Sequence, residues 1–105
     1  MNRKAIMKKC LEENSATFED LKANRNSDET PEKIACFRKC MMLEQGLIDA
    51  DGAIQSEKVS EMVEIFNVSD DKRQEIVSCV NEVESVQDCQ DSGKVYQCFP
   101  TWPHH

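Results

Sequence analysis

The stretch IACFRKCMMLEQG, Ile34 to Gly46, decides the fold, because it sets Cys36 and Cys40 four residues apart among good helix formers. On a helix, Cβ atoms at that spacing stand about 5–6 Å apart, whereas a disulfide needs roughly 3.5–4.5 Å. The two sulfurs therefore do not pair with each other, and this helix is tied at successive turns to two different parts of the chain. Ile34, Cys36, Phe37, Cys40, Met41, Met42 and Leu43 leave only a narrow polar strip with Glu32 and Lys39, as in a centrally placed helix. It is expected to start behind Thr30 and Pro31, a cap followed by a first-turn proline. Gly46 should stop it after about Gln45.

The 105 residues make one domain with a modest core, and six cysteines in so short a chain point to a disulfide-bonded, secreted protein. The first ten residues, MNRKAIMKKC, carry four basic side chains and no apolar signal region. The sequence thus reads as a mature form, with Met1 left by expression. No window approaches the roughly 18 consecutive apolar residues of a membrane span, so neither membrane insertion nor a bilayer partner is expected. A net charge of −7 argues against nucleic acid. The acidic groups are spread along the chain, as on a solvated surface.

Gly and Pro are scarce, with three residues each, and periodic segments alternate with short polar breaks, so the expected fold class is all-α with six helices. The first runs from about Arg3 to Glu13 with Ile6, Met7, Cys10 and Leu11 on one stripe. Ser15 is expected to start a second, short helix that buries Phe18 and Leu21, followed by a polar loop from Asn24 to Glu29. After the central helix, LIDADGAI (Leu47 to Ile54) reads as a turn in which Asp51 and Gly52 supply the tight geometry. The fourth helix opens at Ser56 and Glu57 and carries the cleanest amphipathic stripe, Val59, Met62, Val63 and Phe66. Ser69 or Asp70 caps the fifth, which buries Ile76, Val77, Cys79, Val80 and Val83. The sixth starts near Ser92, and Pro100 and Pro103 break the tail.

Six cysteines allow 15 pairings, and barring Cys36 with Cys40 leaves most of them open. The gaps between successive cysteines are 25, three, 38, nine and eight residues. With GLIDADGAI after the third cysteine, this spacing resembles the six-cysteine insect odorant- and pheromone-binding proteins over Cys10 to Cys98. The resemblance implies an interlocked pairing: Cys10 with Cys40, Cys36 with Cys89, and Cys79 with Cys98. Loops of such lengths are worth roughly 3–4 kcal/mol each in the chain-entropy account. Three of them would let a helical shell tolerate an apolar cavity at its centre.

Competing chemistry finds little support. Cys79, Cys89 and Cys98 are too widely spaced to complete a zinc site with Cys36 and Cys40, and His104 and His105 sit at the extreme end, as in a tag remnant or frayed tail. No other histidine exists to serve a Ser or Cys nucleophile, and no phosphate loop or G-x-S-x-G elbow is present. Asp70 with Asp71 at a helix start reads as a dipole partner. Neither enzyme activity nor a cofactor is expected.

What remains is apolar: Phe18, Leu47, Ile54, Val59, Met62, Val63, Phe66, Val80, Tyr96, Phe99 and Trp102. Taken singly, each is as well read as core. The resemblance implies that, as a group, they line a pocket between converging helices, with the fourth helix, the last helix and the tail as its walls. Tyr96 and Trp102 would orient a polar end of the ligand, and CFPTWP would fold over it as a lid. The tail is shorter than in family members that release ligand through a long C-terminal segment, so that mechanism is not expected. The expectation is an extracellular carrier of small hydrophobic molecules such as odorants, pheromones, fatty acids or long-chain alcohols, esters and aldehydes, in sensory lymph or another fluid. A chemosensory receptor is a further partner on this reading. The alternative is a secreted interaction protein with a filled core and a protein partner. Monomer and weak homodimer are both compatible, since Val59, Met62 and Phe66 could face a second copy.

Overall fold

Cys36 and Cys40 lie at successive turns of one helix and bond to opposite neighbours, and the rest of the chain is arranged around that fact. The computed structural model describes residues 2–24 and 30–99. Among them are six α-helices: α1 (Arg3–Glu13), α2 (Phe18–Ala23), α3 (Glu32–Glu44), α4 (Ser56–Val63), α5 (Asp70–Val83) and α6 (Ser92–Tyr96), with a 3-10 turn at Cys89–Asp91 leading into α6. The disulfides are Cys10–Cys40, Cys36–Cys89 and Cys79–Cys98, with Cα separations of 5.6, 4.6 and 5.6 Å. They tie α3 back to α1 and forward to the 3-10 turn, and α5 to the segment after α6. This is the pairing that the resemblance implied.

The buried side chains form two clusters. Ile6, Cys10, Leu11 and Ala16 pack with Ile34, Phe37 and Met41 of α3. Met42, also on α3, belongs instead to the second cluster, with Leu47, Ile48, Val59, Val63, Ile76, Val80, Val86, Val95 and Phe99. α3 thus serves both cores. Ala35 carries a buried polar tie as well, its carbonyl accepting from the Ser92 hydroxyl of α6 at 3.2 Å. Leu43 departs from the expected apolar sleeve and is 44% exposed, beside the polar strip.

Local backbone chemistry sets the ends of the helices. Asn2 caps α1 by accepting from the Ala5 N–H, and Ser69 caps α5 by accepting from Lys72. α3 ends in a Schellman motif: Gly46 takes φ +78°, Leu47 N–H donates to the Met42 carbonyl at 2.9 Å, and Gly46 N–H to that of Leu43. Leu47 and Met42 then share one core.

α1 ends the same way, and this corrects the expectation for Ser15. Ser15 is not a cap; it holds φ +53° while Ala16 N–H donates to the Leu11 carbonyl at 2.9 Å. The cap of α2 is Thr17, in a reciprocal capping box with Asp20. Lys33 at 3.1 Å, then the Thr17 backbone, hold the Asp20 carboxyl below its ordinary range. Ala16 and Leu21 join the same cluster, in the positions of a hydrophobic staple. With those inward positions filled, Phe18 at the first turn is left 57% exposed rather than buried. The polar loop expected after Asn24 falls largely outside the described residues.

The turn after α3 depends on Asp49 more than on Asp51: its carboxylate accepts from both the Asp51 and Ala53 N–H groups at 2.9 Å. Gly52 N–H closes onto the Asp49 carbonyl, and the Gly52 carbonyl accepts from Val86 at 2.7 Å. Ile54 N–H reaches the Glu84 carbonyl at 3.2 Å. Glu84 itself has φ +67° and ψ −52°, with Ser85 N–H donating back to Val83 at 2.7 Å; this is a γ-turn of the strained, positive-φ kind. The loop between α3 and α4 is thereby stitched to the end of α5.

α4 stops at Val63, one turn short of the expected stripe. Phe66 nevertheless packs on the second cluster and lies 5.5 Å from Phe99, centroid to centroid, in a tilted pair. In α5, Ile76 and Val80 are fully buried, while Val77, Cys79 and Val83 are only partly so.

Two substitutions test this backbone account. Ser15→Gly removes the left-handed penalty of a β-carbon and is expected to raise stability by about 1 kcal/mol, read from denaturant midpoints with the disulfides intact. Gly52→Ala is expected to lower stability by about 2 kcal/mol or more, because Gly52 has φ +84° and its new Cβ would collide with the Val86 carbonyl oxygen.

A candidate ligand cavity between two cores

Because α3 divides the interior, the two clusters do not merge. A cavity of about 340 Å³, partly open to solvent, lies along their seam. One stripe of α3 forms its longest wall, with Ile34, Phe37, Arg38, Met41, Met42 and Gln45 recurring at helical spacing. Val95, Tyr96 and Phe99 face it from α6 and the residues just after it, with Met62 of α4 and Leu47 on the same side. Met7 of α1 and Leu21 of α2 complete the apolar lining. Besides Tyr96, polar groups among the described residues of the wall come from Arg3, Asn24, Arg38 and Gln45.

The Arg38 guanidinium sits over the Tyr96 ring at 4.9 Å from its centroid. A cation–π contact of this kind is worth about 0.5–2 kcal/mol, more as water is excluded. Arg38 Nη1 also donates to the Thr30 hydroxyl at 3.4 Å. Burial pushes the Tyr96 phenol above its ordinary value of 10.0, opposed first by the charge of Arg38 and then by that of Arg3. Both arginines therefore act on one end of the cavity. Asn24, the C-cap of α2, is 8% exposed.

Of the residues singled out in the sequence, Leu47, Met62, Tyr96 and Phe99 are in the cavity wall. Val59, Val63 and Val80 are instead fully buried in the second core, where α4 packs on α5, and Ile54 and Phe66 pack against that core from its edge. Phe18 is on the surface. Trp102 and the tail expected to act as a lid lie outside the described residues.

The wall from α1, α2 and α3 went unread in the sequence. Its signal was present, in the spacing of Ile34, Phe37, Met41 and Met42, but a helix apolar on nearly every side does not reveal which stripe faces open space. Glu32 approaches Cys36 and Cys89 closely enough to suggest a metal cluster. Both sulfurs, however, are joined in a disulfide and offer no thiolate.

The chain has one tyrosine, so its titration can be followed by ultraviolet difference absorbance. The midpoint is expected above the ordinary 10.0. The native phenol keeps its proton to higher pH than the unfolded one, so this contribution to stability is complete below the ordinary value and is lost as pH rises through the native midpoint. A midpoint at or below the ordinary value would mean a solvated ring.

Comparison with known proteins agrees with the fold. No curated protein matches the chain. A solved structure similar to it is that of an odorant-binding protein of Locusta migratoria, 18% identical, covering 90% of this chain and 73% of the other with a TM-score of 0.66; at that identity the likeness concerns the fold. A family model matches residues 1–101, nearly the whole sequence. With six cysteines in three interlocked disulfides around a helical shell, the chain belongs to the PBP/GOBP family.

Proposed function

We propose that this protein is an extracellular carrier that holds a small hydrophobic molecule in the seam cavity and does no chemistry on it. The supporting observation is the cavity itself: about 340 Å³ bounded mainly by Met, Leu, Ile, Val and Phe side chains. That is near the lower end of the roughly 300–1,000 Å³ typical of small-molecule sites. At about 30 Å³ per liquid water, it suits a ligand of about a dozen heavy atoms. A micromolar complex needs about 8 kcal/mol, or roughly 0.7 kcal/mol per atom for such a ligand, within the bounds for small ligands. Met7, Met41, Met42 and Met62 bring flexible thioethers that fit varied chain shapes. Medium-chain alcohols, aldehydes, esters and fatty acids are the ligand classes of this reading, and Leu47, Met62, Tyr96 and Phe99 contact them.

Family membership supports the carrier reading and an extracellular setting, with three disulfides matched to an oxidising fluid. No helix among the described residues is long and apolar enough to cross a membrane. A second reading, an interaction protein with a filled core, draws on one observation: Val59, Val63 and Val80, expected to touch ligand, pack instead against other side chains.

The test is titration of the oxidised protein with an apolar fluorophore such as N-phenyl-1-naphthylamine, followed by displacement. Saturable, roughly micromolar binding is expected. Met62→Trp, which fills the seam, should weaken it about tenfold with an unchanged far-ultraviolet dichroism spectrum. A folded wild type that takes up no probe would favour the filled-core reading.

A further inference from the structure

Among the described residues, Arg3 and Arg38 are the only charged groups in the cavity wall, and both are cations. Among the described residues neither has a carboxylate within ion-pair distance, although the chain as a whole carries a net charge of −7. The acids nearest along α3 are engaged elsewhere: Glu32 accepts from Gln90 at 3.0 Å, and Glu44 from Lys9 at 2.6 Å. Arg38 is not free to swing out. Its guanidinium is held on the Tyr96 ring and against the Thr30 hydroxyl, an arrangement that fixes the plane of the fork but uses few of its five N–H donors.

Two arginines with no carboxylate partner among the described residues, beside a mainly apolar space, would be an odd feature in the wall of a pocket for uncharged ligands. Arg38 is half-buried and has given up part of its hydration, while Arg3 is exposed; a carboxylate engages a guanidinium through paired N–H···O bonds that an alcohol or aldehyde oxygen cannot match. We infer that the cavity is selective for a medium-chain carboxylate, whose head group is clamped between Arg38 and Arg3 and whose alkyl chain lies along Met41, Met42 and Met62. The inference rests on the carrier reading above and narrows its ligand class to acids. The overall acidity of the protein opposes rather than aids the capture of an anion, so the preference must come from these two side chains. Asn24 and Gln45 add amide donors to the same lining.

The experiment compares decanoate with 1-decanol as competitors of the bound fluorophore at neutral pH. The wild type is expected to bind the acid about tenfold more tightly, given that hydrogen bonds to charged groups are roughly twice as strong as neutral ones. Arg38→Gln and, separately, Arg3→Gln should lower the ratio of decanoate to 1-decanol affinity several-fold. Because Arg38 also packs on Tyr96, Arg38→Lys serves as a control that keeps the charge; it should retain part of the preference. Equal affinity for acid and alcohol in the wild type, or a preference untouched by both Gln variants, overturns the carboxylate assignment while the carrier reading stands. If the fluorophore, acid and alcohol all fail to bind, the carrier reading falls, and this inference with it.

Discussion

The structure depends on one helix being fastened at neighbouring turns to partners on different sides. Cys36 and Cys40 are too close in sequence to avoid each other's vicinity and, on a helix, too far apart to bond. The chain resolves this by sending α1 to one sulfur and the 3-10 turn before α6 to the other. α3 is therefore held in the middle whatever the side chains around it do. With disulfides worth roughly 3–4 kcal/mol apiece at these loop lengths, against the 5–15 kcal/mol that stabilises a typical domain, the cross-links carry a share that packing would otherwise have to supply.

That arrangement explains the split interior. A helix in the centre offers apolar side chains in every direction, and α1 and α2 collect on one side of it while α4, α5 and α6 collect on the other. Each cluster is dense in itself, with aliphatic residues fully buried where helices meet. Nothing forces the two to close on one another, because the covalent ties already fix their separation. The gap between them is the cavity, and the polar groups that reach it come from the edges of both halves.

Much of this was legible in the sequence. The bounds of α1, the Gly46 stop, the Ser69 cap and the start of α6 follow from local rules in which one residue type satisfies one backbone need. The disulfide partners were not legible from spacing alone and came through resemblance. Ser15 misled because a serine before an acidic, aromatic stretch looks like a cap, whereas the backbone there needed a left-handed residue to end α1. Phe18 misled because its hydrophobicity says nothing about whether smaller neighbours already occupy the inward positions. The cavity wall was half-read for a related reason. Valines on a clean amphipathic stripe, such as Val59 and Val63, are the residues best suited to tight helix packing, so they fill space; the lining falls to side chains where the two clusters face each other across α3.

Arg38 and Tyr96 sit on that seam. Tyr96 packs against the second core beneath the Arg38 guanidinium, and both side chains also face the cavity. The valine-rich contact of α4 with α5 and the capped ends of α1 and α3 constrain the scaffold, whereas Met7, Arg38 and Met62 in the seam are only half-buried and carry less of that constraint. Substitutions at those positions would reshape the seam while the cross-linked framework stays put.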